Sequence, residues 1–121
     1  MQDLEITWPD GVERFSVADS PIHLGRSSQA AIPLTESSVS RRHLELAWNG
    51  TTWVAKDSST HGTYDPIGVR LAPEWSLTTD TTVRLGGPEG VQVQIRPVGG
   101  PAVDIDLVSE IGIARPRPGA N

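Results

Sequence analysis

The stretch LELAWNGTTWVAKD, residues 44–57, decides the fold class. Its first five residues alternate between apolar and less apolar positions, which is the period-2 pattern of a strand with one buried face. Asn49-Gly50 follows, and this dipeptide between two apolar runs is a strong short-range signal for a β-hairpin. The stretch therefore predicts two antiparallel strands, the second of them over residues 52–57.

The hairpin signal also predicts a register. A two-residue turn at the Asn-Gly dipeptide would pair Leu46 with Trp53. The next inward pair would then be Leu44 with Ala55, because side chains on one face of a strand recur every second residue. This pairing is the expectation for the centre of the fold.

Short segments on both sides of the hairpin have the same character. The segments predicted as further strands are residues 4–8, 12–17, 22–25, 69–71, 82–85 and 91–96, with a short apolar piece at 30–34. The 12 Gly and 10 Pro residues divide the chain into such pieces, which indicates an all-β sandwich or barrel. We expect the four tryptophans to pack in or beside the core; a stacking surface for a carbohydrate or peptide is the alternative.

The length of 121 residues is that of one domain. We expect residues 1–98 to form this domain. The Gly99-Gly100-Pro101 sequence is typical of a linker. Residues 99–121 are therefore predicted to be a linker or C-terminal tail, either loose or partly docked on the domain.

Charge and composition exclude several classes of function. The formal net charge is −5, whereas a general nucleic-acid binder is usually basic. The absence of cysteine excludes disulfides and thiolate metal sites. No run of about 18 apolar residues and no signal-peptide pattern occurs, so we expect no membrane insertion. A cytoplasmic location is predicted, either for the chain alone or as the cytosolic domain of a larger membrane protein.

The sequence does not indicate an enzyme. Ser40 and His43 lie three residues apart, but no acidic partner for a catalytic triad is evident. The histidines His23, His43 and His61 do not have metal-ligand spacing. The segment 25–28 lacks the second glycine and the lysine of a phosphate-binding P-loop. We therefore expect no catalysis, no cofactor and no metal.

Three polar loops contain groups that suit one ligand. They are residues 25–28, 38–43 and 57–63, and each adjoins a predicted strand that would hold it in place. Together they supply guanidinium groups, hydroxyls and loop backbone N–H groups. A phosphate monoester requires such donors, because it carries nearly two negative charges at neutral pH.

The three loops together resemble the signature of forkhead-associated (FHA) domains. Gly25-Arg26, then Ser40-Arg41-Arg42-His43, then Ser59-Thr60-His61-Gly62-Thr63 match its three parts in order and spacing. The resemblance covers about residues 3–97. It implies an antiparallel β-sandwich of about ten or eleven strands with ligand-binding loops at one end. It also implies that the chain binds phosphothreonine in a partner protein.

The resemblance implies a role for each matching residue. Arg26 and Ser40 match residues that contact the phosphopeptide, and Arg41 matches a position that adds a second phosphate contact. Thr60 matches a residue close to the phosphothreonine. Arg41 and Arg42 should point in opposite directions, as neighbours in an extended segment do. We expect Arg42 to be the solvated one.

Other matching residues support the loops. His43 matches an architectural histidine, and Gly62 matches a glycine that the loop conformation requires. Gly25 and Ser59 are expected to support the site in the same way. His61 stands where the family usually has Asn, which hydrogen-bonds the peptide backbone. Since imidazole offers a donor and an acceptor, we expect this role to persist with altered geometry and with pH-sensitive binding.

The expected function is phosphorylation-dependent protein–protein interaction in Ser/Thr kinase signalling. The partner would be a phosphothreonine-containing protein, either a Ser/Thr kinase or its substrate, and the domain itself a monomer. The resemblance also suggests an actinobacterial source, with an FHA-containing ABC transporter as one parent protein. The alternative is a degenerate FHA-like structural domain that binds a partner without phosphate.

Overall fold

The computed structural model describes residues 2–99, and ten strands lie within this range. The strands are β1 (Asp3–Trp8), β2 (Gly11–Phe15), β3 (Ile22–Gly25), β4 (Ile32–Pro33), β5 (Leu44–Trp48), β6 (Trp53–Asp57), β7 (Thr63–Tyr64), β8 (Glu74–Leu77), β9 (Thr81–Leu85) and β10 (Val91–Val98). One short 3-10 helix, Val17–Asp19, follows β2. The predicted tail over 99–121 lies outside the described residues, apart from Gly99.

The strands form two five-stranded sheets, in the orders β2-β1-β10-β9-β7 and β4-β3-β5-β6-β8. All pairs are antiparallel except β3 with β4. The predicted all-β sandwich of about ten strands is therefore confirmed. No helix in residues 2–99 has the length and apolarity needed to cross a bilayer.

The core lies between the two sheets and follows the alternation of each strand. In β10, Val93 and Ile95 are fully buried, whereas Gln92, Gln94 and Arg96 between and beside them are exposed. Burial of each such aliphatic side chain contributes roughly 1.5–3 kcal/mol. Trp53 is fully buried, and Trp8, Trp48 and Trp75 pack against the core, as expected of the tryptophans.

The central hairpin forms, but its predicted register is wrong by two residues. Trp48 pairs with Trp53 and Leu46 pairs with Ala55, so the connection contains four residues and not two. The Asn49 side chain causes the difference, since its Oδ1 accepts hydrogen bonds from the N–H groups of Thr51 and Thr52 at 2.9 Å. An Asx-type turn of this kind competes with the tight Asn-Gly turn. The shift of two leaves the buried face unchanged.

Three other strand predictions need correction. Val69 is 54% exposed, and only Arg70 of the segment 69–71 makes an isolated bridge, to Tyr64. The predicted strand over 69–71 is therefore wrong: Val69 is exposed, and only Leu71 packs against the core. The chain instead forms β7 and β8, which were predicted as loop and connection. The strand predicted over 12–17 ends at Phe15, where the 3-10 helix takes over.

Candidate phosphate-binding site

The first two polar loops run side by side at one end of the sandwich. The N–H of Arg26 donates to the carbonyl of Ser40 at 2.9 Å, and the N–H of Ser27 donates to the carbonyl of Arg41 at 3.3 Å. These bonds extend the β3–β5 pairing beyond the sheet. Gly25 allows this close approach, since a Cβ at this position would lie 2.0 Å from the carbonyl oxygen of Arg41. The rigid sheet therefore holds both loops in place.

The three loops enclose a small cavity of about 110 Å³, which we call the phosphate cavity. It is lined by Arg26, Ser37, Ser38, Val39, Ser40, Thr60 and His61. The structure thus brings together four of the five predicted contact residues, namely Arg26, Ser40, Thr60 and His61. They come from segments up to 35 residues apart in sequence. The fifth, Arg41, is placed elsewhere.

Arg26 is held so that its end faces a ligand. Its Nε donates to the carbonyl of Val39 at 2.9 Å, and Val39 itself is buried. This bond fixes the plane of the guanidinium group and leaves its two terminal nitrogens for another acceptor. A guanidinium presented in this way suits bidentate contact with a phosphate.

Ser40 is oriented by the third loop. Its Oγ accepts a hydrogen bond from the backbone N–H of Thr60 at 3.0 Å. Because this contact uses an acceptor position of the hydroxyl, the hydroxyl hydrogen remains available as a donor. The bond also joins the second loop to the third across the cavity. Ser40 can therefore both organise the loops and donate to a phosphate oxygen.

His43 connects the second loop to the third. It is fully buried, its Nδ1 accepts from the N–H of Ser40 at 3.1 Å, and its Nε2 lies 2.9 Å from the carbonyl oxygen of Gly62. These partners require a neutral ring with the hydrogen on Nε2. Burial lowers the pKa of His43 below its ordinary value, although the Gly62 carbonyl opposes this shift. His43 thus hydrogen-bonds to both the second and the third loop, and its architectural role in binding stays a prediction.

Internal hydrogen bonds shape the third loop. The N–H of Ser59 donates to the Asp57 carboxylate at 2.9 Å, and the Oγ of Ser59 accepts from the N–H of Gly62 at 2.8 Å. Gly62 has a φ of +91°, a conformation that side chains disfavour. Thr60 and His61 are thereby left exposed at the tip of the loop.

Arg41 does not line the phosphate cavity. With Arg42 it lines a second cavity of about 140 Å³. The prediction that Arg41 and Arg42 point apart therefore does not hold here, since both are exposed and border the same space. The role of Arg41 as a second contact to the phosphothreonine stays a prediction.

Three further residues near the phosphate cavity were not named as site residues from the sequence. Ser38 lines the cavity, and the N–H of Gly86 donates to the Gly62 carbonyl at 3.0 Å. Arg70 packs over Gly62: a Cβ on Gly62 would lie 2.6 Å from the Nε of Arg70. Ser38 lies in the second polar loop, so the sequence could have identified it. Gly86 and Arg70 could not be identified from the sequence. Only the tertiary fold brings the end of β9 and the segment after β7 close to the third loop.

Charge is distributed unevenly between the sheets and the loops. Arg14 and Arg96 on the sheets form ion pairs with Asp3, Glu5 and Asp80. In contrast, Arg26, Arg41, Arg42 and Arg70 have no carboxylate within 4.0 Å among residues 2–99. Residues 2–99 contain no cluster of His, Asp and Glu that could hold a metal ion. The loop end therefore offers uncompensated positive charge to an anion.

Comparison with known proteins agrees with this geometry. The family model of the FHA domain matches residues 22–86, which is more than half of the chain. The FHA domain-containing protein FhaA of Mycobacterium tuberculosis is 41% identical over 69 residues, which cover 54% of this chain and 12% of FhaA. FhaB of the same species is 28% identical over 88 residues, which cover 69% of this chain and 52% of FhaB.

Solved structures show the same architecture. The FHA-1 domain of Mycobacterium tuberculosis Rv1747 superposes with a TM-score of 0.71 at 25% identity, over 79% of this chain and 96% of that domain. The FhaA FHA domain, solved in complex with the intracellular domain of Rv3910, gives a TM-score of 0.61 at 28% identity, over 79% of this chain and 100% of that domain. The chain spans about half of FhaB and a small part of FhaA. It belongs to the FHA domain family.

Proposed function

We propose that this chain is a phosphothreonine-binding module and that the phosphate enters the phosphate cavity. One observation carries the proposal: the fold brings the guanidinium of Arg26 and the hydroxyl of Ser40 to one small cavity, each fixed by a contact that leaves its donors available. The proposed role is binding without catalysis.

The residues divide the work of recognition. Arg26 donates to two phosphate oxygens and neutralises charge, and Ser40 donates through its hydroxyl hydrogen. Thr60 and His61, exposed at the tip of the third loop, contact the peptide backbone and set its register. Because a phosphate monoester loses its second proton near pH 6, affinity should rise as the pH passes that value.

Related domains support this choice of ligand. An FHA domain at 27% identity was solved in an analysis of phosphothreonine-dependent FHA domain interactions. The FhaA domain was solved bound to the intracellular domain of another protein. We propose that the partner here is a protein phosphorylated on threonine, either a Ser/Thr kinase or its substrate. A domain of this kind can act within a larger parent protein.

Titration with a degenerate phosphothreonine peptide library tests the proposal. The unphosphorylated library is the control. Binding that depends on phosphate would support the proposal and reveal the residues preferred around the phosphothreonine. Equal binding of both libraries, or no binding to either, would contradict it and favour a degenerate FHA-like domain that uses another surface.

A further inference from the structure

Two arginines lie next to the phosphate cavity but do not line it. Arg41 and Arg42 border a separate cavity of about 140 Å³. The other lining residues are His23, Ser27, Gln29 and Ala30. We call this space the Arg41–Arg42 cavity.

Neighbouring residues of the first two loops line the two cavities. Segments 25–27 and 40–41 are joined by backbone hydrogen bonds and bend where they leave the sheet. Arg26 and Ser40 line the phosphate cavity, whereas the next residue of each segment, Ser27 and Arg41, lines the second one. The two cavities are thus formed by adjacent residues of the same two loops.

The Arg41–Arg42 cavity has the chemistry of an anion site. Neither guanidinium has a carboxylate within 4.0 Å among the described residues. The Oγ of Ser27 accepts from the N–H of Gln29 at 3.1 Å, so its hydrogen remains free to donate. The Nε2 atom of the lining residue His23 lies 3.3 Å from Oε1 of Glu45. No acidic side chain lines the cavity itself.

We propose that the Arg41–Arg42 cavity binds a second phosphorylated residue of the same phosphopeptide. The inference rests on the proposed function and specifies its ligand as a doubly phosphorylated segment. Because adjacent residues of the same two loops line both cavities, a peptide held by its phosphothreonine can place a neighbouring residue at the second cavity. Two adjacent guanidinium groups and a hydroxyl match the charge of about −1.5 to −2 on a phosphate better than the single charge of a carboxylate.

The test uses a peptide series built on one phosphothreonine peptide that the full chain binds. A phosphoserine is placed at each neighbouring position in turn, and Asp is placed at the same positions in a second series. At one position, phosphoserine should raise the affinity roughly five- to tenfold, the range expected when exposed arginines gain a dianionic partner. Asp should raise it less; an equal gain with Asp would overturn the assignment to phosphate.

Arg42→Gln is the decisive variant, because Arg42 does not line the phosphate cavity. It should remove the gain from the second phosphate and leave binding of the singly phosphorylated peptide unchanged. Arg14→Gln makes the same charge change on the other sheet and should retain the gain. If no position of the second phosphate raises affinity, or if Arg42→Gln weakens both peptides equally, the proposal is wrong.

The two proposals fail in different ways. If wild-type chain bound no phosphothreonine peptide, the proposed function would fail. Titration with inorganic phosphate would then test the Arg41–Arg42 cavity separately. The backbone amide NMR signals of Ser27 and Arg42 would report binding there. Shifts at these two residues that Arg42→Gln abolishes would support an anion site there, and their absence would overturn it.

Discussion

At the scale of single residues, the proposed site is preorganised, because each donor is held by one internal contact and keeps another for a ligand. Arg26 uses its Nε on Val39 and retains its terminal nitrogens. Ser40 accepts from the Thr60 N–H and retains its hydroxyl hydrogen. Preorganisation of this kind reduces the entropy lost when a ligand orders flexible side chains.

Loss of either donor should weaken phosphopeptide binding without unfolding the domain. Arg26→Ala removes charge-assisted hydrogen bonds worth about 1.5–3 kcal/mol, and Ser40→Ala removes one hydrogen bond to a charged group. Calorimetric titration measures the effect, and thermal unfolding checks the fold. Arg14→Ala is the matched control on the distant sheet. Unchanged affinity in both variants would refute the site assignment.

The buried imidazole of His43 should make stability depend on pH. Burial lowers its pKa in the folded state, so the unfolded chain, with the ordinary value of 6.5, binds the proton more readily. Stability is therefore fully present above about pH 6.5 and declines as the pH falls through the lowered pKa. Denaturant unfolding at several pH values measures this slope.

Substitution of His43 separates this residue from the other groups that titrate. His43→Ala leaves the N–H of Ser40 and the carbonyl of Gly62 without their partner, which should cost about 2–4 kcal/mol of unfolding free energy. It should also flatten the pH dependence below about 6.5. His23→Ala, at a half-exposed position, is the control. A pH slope that survives in His43→Ala would count against this account.

At the scale of elements, close packing between loops positions the site. Gly86, at the end of β9, has a φ of +100°, and a Cβ there would lie 2.5 Å from the Oγ of Ser38. Gly50, in the central hairpin, also has a φ of +100° but has open space around it. A comparison of substitutions at the two glycines therefore separates the cost of the positive φ from the cost of a steric clash.

Substituting these glycines by alanine should give unequal losses. Gly50→Ala carries only the conformational cost of about 1–2 kcal/mol. Gly86→Ala adds a clash with Ser38 and should cost about 2–4 kcal/mol. It should also weaken phosphopeptide binding, because Ser38 lines the phosphate cavity. Equal unfolding free energies for the two variants would show that the contact with Ser38 is unimportant.

Elements with strong alternation could be predicted from sequence, and weakly patterned ones could not. The strands β1, β3, β5, β6 and β10 carry several apolar residues at spacing two and were placed correctly. In β8 only Leu77 is fully buried and Trp75 is half-buried, too little pattern to distinguish a strand from a connection. The hairpin register depended on the side chain of Asn49, which the dipeptide signal does not take into account.

In the candidate site, too, some features could be predicted from the sequence and others could not. Four residues that line the phosphate cavity, Arg26, Ser40, Thr60 and His61, could be predicted because they lie in loops between recognisable strands. The placement of Arg41 beside Arg42 at one cavity could not, since residues 41–42 form a turn before β5 and not an extended segment. Arg70 reaches Gly62 only through the fold, and no local pattern marks it.

At the scale of the whole molecule, the segment from Asp3 to Val98 contains the ten described strands, the core between them and the three polar loops. A chain shortened to residues 1–98 should therefore unfold with the same free energy and bind the same peptides as the full chain. Denaturant unfolding and peptide titration of both forms check this. Lower stability or affinity of the shortened chain would show that residues 99–121 contribute to the domain.

The distribution of charge gives the molecule one binding end. The chain has a net charge of −5, yet the arginines of the loops lack nearby carboxylates among residues 2–99. Acidic surfaces elsewhere disfavour unspecific binding of anions, and the loop end attracts them. Recognition of a phosphorylated partner therefore does not require a basic protein.

Backbone amide NMR during titration with a phosphothreonine peptide tests the central claim most directly. The largest shifts should occur at Arg26, Ser40, Thr60 and His61, and the unphosphorylated peptide should cause none of them. Shifts confined to the sheet surfaces, or identical shifts with both peptides, would contradict phosphothreonine binding at the phosphate cavity.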